Sequence, residues 1–307
     1  MLLLIKYTLL YGIVLMLVAL GGMFSEHSGV INIALEGIMV IGGLGGVLTV
    51  AMLQGTVPAW LLVALAIFVA ALSGMVYALL LAFASINLKA DQTIGGTALN
   101  MLATALAVIL AKMYNGSTSS KVSYTNNAFL FKIGGLDLSV FIPLGIVLLI
   151  VSYIVMYKTR FGLRLRACGE HPQAADSVGI NVYRMRYAGV LLSGFLGGIG
   201  GLAYTVAAGS GFNSDVGGYG FLALAVMIFG NWKPLQIFFC SIFFALFKVV
   251  GTYYTLIPIL PNFKGVEKVS NIYNLLPYVV TMIVLIATSK SSQAPKAEGI
   301  PYDKGSR

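Results

Sequence analysis

Residues 60–84 read WLLVALAIFVAALSGMVYALLLAFA, a run without one charged side chain. About 20 apolar residues in helical conformation cross the hydrocarbon core of a bilayer, so this run is long enough to span it. Hydrocarbon offers unpaired backbone N–H and C=O groups no water, which leaves the helix as the conformation for such a run. Runs of the same character recur at 2–20, 29–53, 93–111, 139–157, 187–208, 235–254 and 274–288, with a shorter one at Tyr219–Phe229 that reads as a re-entrant or broken helix. The sequence therefore predicts an all-α polytopic membrane protein of about 8–9 transmembrane helices.

Composition agrees. Of 307 residues, 59% are hydrophobic and 9% charged, against roughly 25% charged in a soluble domain. Large extramembrane domains are excluded, and any enzyme that needs one sits on another chain. The excess of 19 Lys and Arg over 10 Asp and Glu would suggest nucleic acid in a soluble protein; here it follows the positive-inside rule. Lys158, Arg160, Arg164, Arg166, Arg184 and Arg186 gather between two spans, opposed by Glu170 and Asp176, which places the loop 158–187 in the cytoplasm. Alternation then puts Lys89, Lys233, Lys290, Lys296, Lys304 and Arg307 inside, and the N-terminus with the loops 112–137 and 255–273 outside.

Two regions follow: a membrane domain over 1–289 and a cytoplasmic tail over 290–307 whose Ser, Lys, Pro and Gly read as disordered. The outer loop 112–137, rich in Ser, Thr and Asn, reads as an exposed connection, and its Asn115-Gly116-Ser117 fits the glycosylation triplet. Lys6 lies inside the first apolar run and no cleavage site follows, so that run reads as a retained span. Cys168 and Cys240 occupy a charged loop and an apolar run and predict no disulfide.

Glycines four apart, Gly42 with Gly46, Gly194 with Gly198 and Gly197 with Gly201, share a helix face and predict close helix contacts. Thr93, Thr97, Asn100 and Thr104 recur at helical spacing on an otherwise apolar run, and Asn32 and Glu36 form a second polar face. Polar groups at that depth either bond across helices or line a wet path, and together they favour a path for a polar, uncharged solute. Lys248 lies near the outer end of its run and is expected to snorkel. His27 and His171 have no further ligand at metal-binding spacing. With no phosphate-cradling loop and no nucleophile arrangement, the chain reads as no enzyme, and the energy for transport comes from elsewhere. A faint echo links Ser25-Glu26-His27-Ser28-Gly29 to Ser214-Asp215-Val216-Gly217-Gly218, each preceding a glycine-bearing helix, as in a duplicated transporter fold.

The stretch 161–180, FGLRLRACGEHPQAADSVGI, reads as a basic approach, Pro172 at the start of a helix of one or two turns, and Gly179 at its end. A helix too short to span, set between two spans, suits a docking knob for a soluble partner.

Gln173-Ala174-Ala175-Asp176-Ser177-Val178-Gly179 resembles the Glu-Ala-Ala-x-x-x-Gly loop of ATP-binding-cassette importer permeases, with Gln173 in place of the usual Glu. The stretch 25–37, SEHSGVINIALEG, is similar to a signature of nucleoside-type permeases, which group with those for branched-chain amino acids and ribose; His27 stands where Arg is more usual. The resemblance implies a type II importer-like bundle in a bacterial cell membrane. It also implies a second, non-identical permease subunit, a cytoplasmic ATPase that holds ATP and Mg, and an extracellular substrate-binding lipoprotein. Gly169, Glu170, Pro172, Gln173, Ala174, Ala175 and Gly179 would form the coupling helix, and Asn32, Glu36, Thr97, Asn100 and Thr104 are expected along the path. Nucleosides are the first expectation for the solute; branched-chain amino acids or ribose-like sugars are alternatives, and an ion-gradient-driven transporter or a purely structural subunit are rivals of another class.

Overall fold

The computed structural model describes residues 2–116, 119–125, 127–133, 136–209, 211–252, 275–277, 279–283, 286 and 293–305. Seven helices among these residues are long and apolar enough to cross a membrane. They are carried by α1 (Leu2–Glu26), α2 (Leu35–Leu53), α3 (Ala59–Ala82), α4 (Gln92–Tyr114), α5 (Phe141–Lys158), α8 (Val182–Ala208) and α10 (Pro234–Thr252). Between α5 and α8 lie the short helices α6 (Arg160–Glu170) and α7 (Pro172–Ser177), and α9 (Tyr219–Phe229) precedes α10. The expected run 274–288 is represented by helical residues 275–277, 279–283 and 286; the rest of it and the loop 255–273 lie outside the described residues.

Helix α1 is apolar on every face and is buried from Leu10 to Glu26, so it forms the axis of the bundle rather than a lipid-facing wall. Around it pack α5, α8, α9 and α10. A second contact joins α2, α3 and α8, and here the glycine spacing acts. A Cβ on Gly42 would collide with the backbone of Gly198, one on Gly74 would reach Gly194 and Gly198, and one on Gly201 would strike the carbonyl of Met39. Three helices therefore meet backbone to backbone, where dispersion and carbonyl contacts replace the hydrophobic drive that lipid does not supply.

Helix α9 has 11 residues, a rise of about 16 Å, and cannot cross a core of about 30 Å. It is a half-crossing that begins inside the bundle. Helix α3 ends in one π-helical turn, Phe83–Asn87, before Lys89 takes a left-handed conformation (φ 52°) and Asp91 caps α4 through the amides of Thr93 and Ile94.

Two expectations are corrected. The connection 112–137 is anchored rather than free: Val122 bridges to Phe212 and both are buried, Phe129 stacks on Phe141, and strands β1 (Leu130–Ile133) and β2 (Leu136–Ser139) form an antiparallel hairpin. The apolar side chains interleaved among its Ser and Asn residues supply that anchor. Of the glycosylation triplet, Asn115 already donates its amide to the carbonyls of Ser119 and Lys121, and Ser117 lies outside the described residues.

The tail is the second. Residues 293–305 lie across the end of the bundle that carries α6 and α7, with Ala297 and Tyr302 buried. The Ala297 amide donates to the Gly169 carbonyl at 2.8 Å, that of Gly299 to Gly29 at 3.3 Å and that of Gln293 to the Asn231 side chain at 2.8 Å. Composition reads such a segment as disordered because its polar residues dominate, yet one tyrosine and a few backbone bonds suffice to dock it.

The glycine contact generates a test. Gly198→Val should destabilise the detergent-solubilised protein by about 1–3 kcal/mol, the usual cost of overpacking, and lower its aggregation temperature. Gly95→Ala, whose Cβ meets nothing within 4 Å, should leave that temperature unchanged or raise it slightly.

Candidate functional site

The residues expected along a path converge where α2, α4 and α9 meet, but in different roles. Glu36, in the first turn of α2, accepts the backbone amide of Gly218 on Oε1 at 2.8 Å and that of Gly220 on Oε2 at 2.6 Å. These belong to the start of α9, whose first amides have no partner within the helix. A carboxylate from α2 thus caps a helix that begins within the bundle, favoured also by the partial positive charge there. Gly218 is left-handed (φ 77°), and a Cβ on Gly220 would collide with the Glu36 backbone, so side chains at these two positions would break the clamp. Of the two segments that echo one another in sequence, the second, ending in Gly218, enters this junction.

Asn100 is buried and spent on the same junction: its Oδ1 accepts the Gly37 amide at 2.8 Å and its Nδ2 donates to the Ile33 carbonyl at 2.9 Å. Asn32 donates to the Ser193 hydroxyl at 2.7 Å. Gln92, absent from the sequence expectation, accepts the Ile31 amide at 2.7 Å. These amides hold the non-helical stretch between α1 and α2, whose backbone would otherwise lack partners. Thr97 and Thr104 differ: both are exposed on α4, with hydroxyls bonded back to the carbonyls of Thr93 and Asn100. One polar stripe in sequence is, in space, a structural amide beside an exposed hydroxyl face. That face continues through Ile94 and Met101, 71% and 73% exposed.

Lys248 does not reach away from the bundle. Its ammonium lies 5.4 Å from the centre of the Tyr219 ring, within a tyrosine cluster in which Tyr219 also meets Tyr11 and Tyr204 at 5.6 and 4.6 Å.

At the basic end, α6 and α7 form the expected knob. The basic approach is itself helical, Thr159 caps it through the Gly162 amide, Pro172 opens α7, and Gly179 turns the chain with φ 82°. Glu170, Gln173, Ala174 and Gly179 are exposed, whereas Pro172 and Ala175 face inward, Ala175 against the Cys168 and Tyr302 cluster. Of the residues expected to meet a partner, the outward set is therefore Glu170, Gln173, Ala174 and Gly179. Gly169 serves close approach: a Cβ there would collide with the His27 carbonyl.

Beneath the knob lies a buried polar group that sequence reasoning did not assemble. The Glu26 carboxylate accepts the Trp232 indole N–H at 2.5 Å and lies beside the Asn32 backbone amide and the Glu298 carboxyl of the tail. Trp232 follows Asn231 through left-handed backbone (φ 53° and 49°), a strained turn between α9 and α10 that the indole bond and burial hold in place. His27 Nε2 donates to the Trp232 carbonyl at 3.1 Å; burial pulls its pKa down to about 4, so the ring is neutral near pH 7. Burial pushes Glu298 up to about 7 and pushes the Cys168 thiol up to about 11. An acidic residue at the end of an apolar run was the available signal for Glu26; Tyr302 and Glu298 carried none. Among the described residues no cluster of His, Cys, Asp and Glu could hold a metal ion.

The profile of the family described as "Branched-chain amino acid transport system / permease component" matches residues 4–288. The chain is 40% identical to the nucleoside ABC transporter permease protein NupC of Lactococcus lactis subsp. cremoris (strain MG1363), over 96% of this chain and 95% of that relative. It is 38% identical to the guanosine ABC transporter permease protein NupQ of Bacillus subtilis (strain 168), over 98% and 96%. A putative glucose ABC transporter permease, TsgC13 of Haloferax volcanii, is 30% identical over 76% of this chain and 72% of its own length.

Two outcomes follow from the geometry. Glu36→Ala leaves the Gly218 and Gly220 amides without their partner, at about 1–3 kcal/mol each, and should lower thermal stability in detergent far more than Thr97→Val on the exposed face. The second concerns pH. A free Glu titrates near about 4.3, so the docked tail retains a proton that the released tail gives up. Docking is then strongest below that value and weakens as pH rises through about 7. Tryptic cleavage at Lys296, normalised to an unfolded reference peptide, should accelerate from pH 6 to pH 8, and Glu298→Gln should flatten that rise.

Proposed function

We propose that the chain, which belongs to the branched-chain amino acid transport system permease family, is the membrane permease of an ATP-driven importer of nucleosides and forms half of its translocation path. The observation that carries this reading is the family match over nearly the whole chain, with a short, outward-facing α7 set between two spans at the basic end. The solute is read from the nucleoside and guanosine permeases, which align with 95% or more of this chain.

On this reading the basic end is cytoplasmic, in a bacterial cell membrane, and Glu170, Gln173 and Ala174 face a cytoplasmic ATPase that binds ATP and Mg. The face of α4 with Thr97 and Thr104 turns toward a second, non-identical permease subunit, and the path runs between the two. An extracellular lipoprotein delivers the solute. Hydroxyl groups on that face suit an uncharged, hydroxyl-rich molecule; among the described residues it presents no pair of opposite charges for a zwitterionic amino acid.

The mechanism is alternating access. ATP binds the closed arrangement of the ATPases more tightly than the open one, and that difference in affinity does the work. Closure moves the seats of α7, and α6, α7 and the foot of α8 carry the displacement into the bundle. Glu36 and the amides of Asn32 and Asn100 hold the broken segments during the motion, because each displaced backbone group needs a partner throughout.

Uptake of labelled guanosine or uridine, measured beside labelled leucine, ribose and glucose in cells lacking their own nucleoside import, tests the reading. Nucleoside uptake should depend on ATP and on the partner ATPase. Ala174→Arg, exposed and outside the packed cluster, should lower it by at least about tenfold, equivalent to about 1.4 kcal/mol, with membrane insertion intact. Leucine or sugar uptake in place of nucleoside would reassign the solute; uptake sustained by the purified chain alone in liposomes would remove the ATPase.

A further inference from the structure

Helix α7 has six residues, too few to hold its own shape or position in water. The covalent chain joins it only to α6 and α8. It packs against both of these helices, and further contacts come from the far end of the sequence. Tyr302 is buried in a small cluster with Cys168, Ala175 and Val182, and its ring meets Tyr183 edge-on at 5.4 Å. The hydroxyl of Tyr302 lies close enough to Asp176 on α7 itself to interact with its carboxylate. Five residues earlier, the Ala297 amide holds the last turn of α6 through Gly169.

The same segment reaches three other places at this end of the bundle. Gly299 bonds Gly29 in the stretch between α1 and α2, Gln293 bonds Asn231 in the turn between α9 and α10, and Asp303 pairs with Lys89 before α4 at 3.2 Å. The ion pair is half exposed and adds little by itself. The backbone bonds and the buried Tyr302 are the substantial part. A segment that binds α6 and α7 on one side and the feet of α2, α4 and α10 on the other is placed to make them move as one body.

We propose that residues 293–305 are a strap that positions the α6–α7 knob for coupling, with Tyr302 as its positioning residue. The proposal rests on the reading of α7 as the seat of an ATPase. Without the strap, a displaced α7 would pivot on its hinges at His171 and Gly179, and ATP would be spent with less solute moved. With it, displacement of α7 is passed directly to the stretch between α1 and α2 and to the helices beyond. Tyr302 touches neither solute nor nucleotide; it acts through Ala175 and Asp176.

The test uses the complete transporter, both permeases with the ATPase, reconstituted in liposomes with labelled guanosine. Tyr302→Ala should leave the ATPase bound and hydrolysis within about twofold of the parent, while guanosine moved per ATP falls about tenfold. Tyr302→Phe, which keeps the ring and loses only the hydroxyl, should recover most of the ratio. A merely stabilising role would lower the amount of assembled complex without changing the ratio, and an unchanged ratio in Tyr302→Ala overturns the proposal. A second measurement needs no variant. In the parent complex the amides of Ala297 and Gly299 should be protected from hydrogen exchange in step with α7, both with and without trapped ATP; free exchange at either amide overturns the strap. If the parent complex moves no guanosine, the assignment of the solute fails, and the exchange measurement still decides the strap.

Discussion

A backbone amide in hydrocarbon must find a partner within the protein, and this chain interrupts its helices where that demand is hardest to meet. Helix α9 starts inside the bundle, and so does the entry to α2. Both interruptions are resolved by side chains from elsewhere in the sequence: Glu36 takes the first amides of α9, Asn100 takes Gly37 and Ile33, and Gln92 takes Ile31. Irregular backbone survives at membrane depth only when enclosed in this way, and transporters use such broken helices because their joints can change partners. The polar residues of the interior are thus first a scaffold. What they leave exposed is the hydroxyl face of α4 with Thr97 and Thr104.

The scaffold needs the helices close together, and the glycines supply that. With Gly42, Gly74, Gly194, Gly198 and Gly201 at the contact of α2, α3 and α8, backbone meets backbone and the contact is short and stiff. A bundle of this kind transmits displacement rather than absorbing it. The axial position of α1 follows from the same economy: a helix apolar all round is placed where every face meets another helix.

At the basic end the arrangement is of another kind. The knob of α6 and α7 is small, half in water and held by a tail distant in sequence. Beneath it Glu26, Trp232, His27 and Glu298 form one buried group in which two carboxyls lie close together, and burial favours the protonated form of Glu298. The docking of the tail is therefore linked to a titration that falls near neutral pH.

The identity of the solvent, the helical class, most span positions and the knob with its Pro172 and Gly179 are legible from the residues alone. They rest on local periodicity, on the requirement that apolar runs match a bilayer, and on turn chemistry that a few adjacent residues dictate. The family, too, could be read from two short stretches. Tertiary structure decided which polar groups are committed. Asn100 and Thr97 share a stripe, yet one is buried and the other exposed, because a spacing of three residues turns the helix enough to cross the margin of a contact. It also decided that Ala175 faces inward, that Lys248 lies on Tyr219, and that the tail is docked. Each depends on a partner far away in the chain, and neither composition nor helical period records which distant side chain fills a given space.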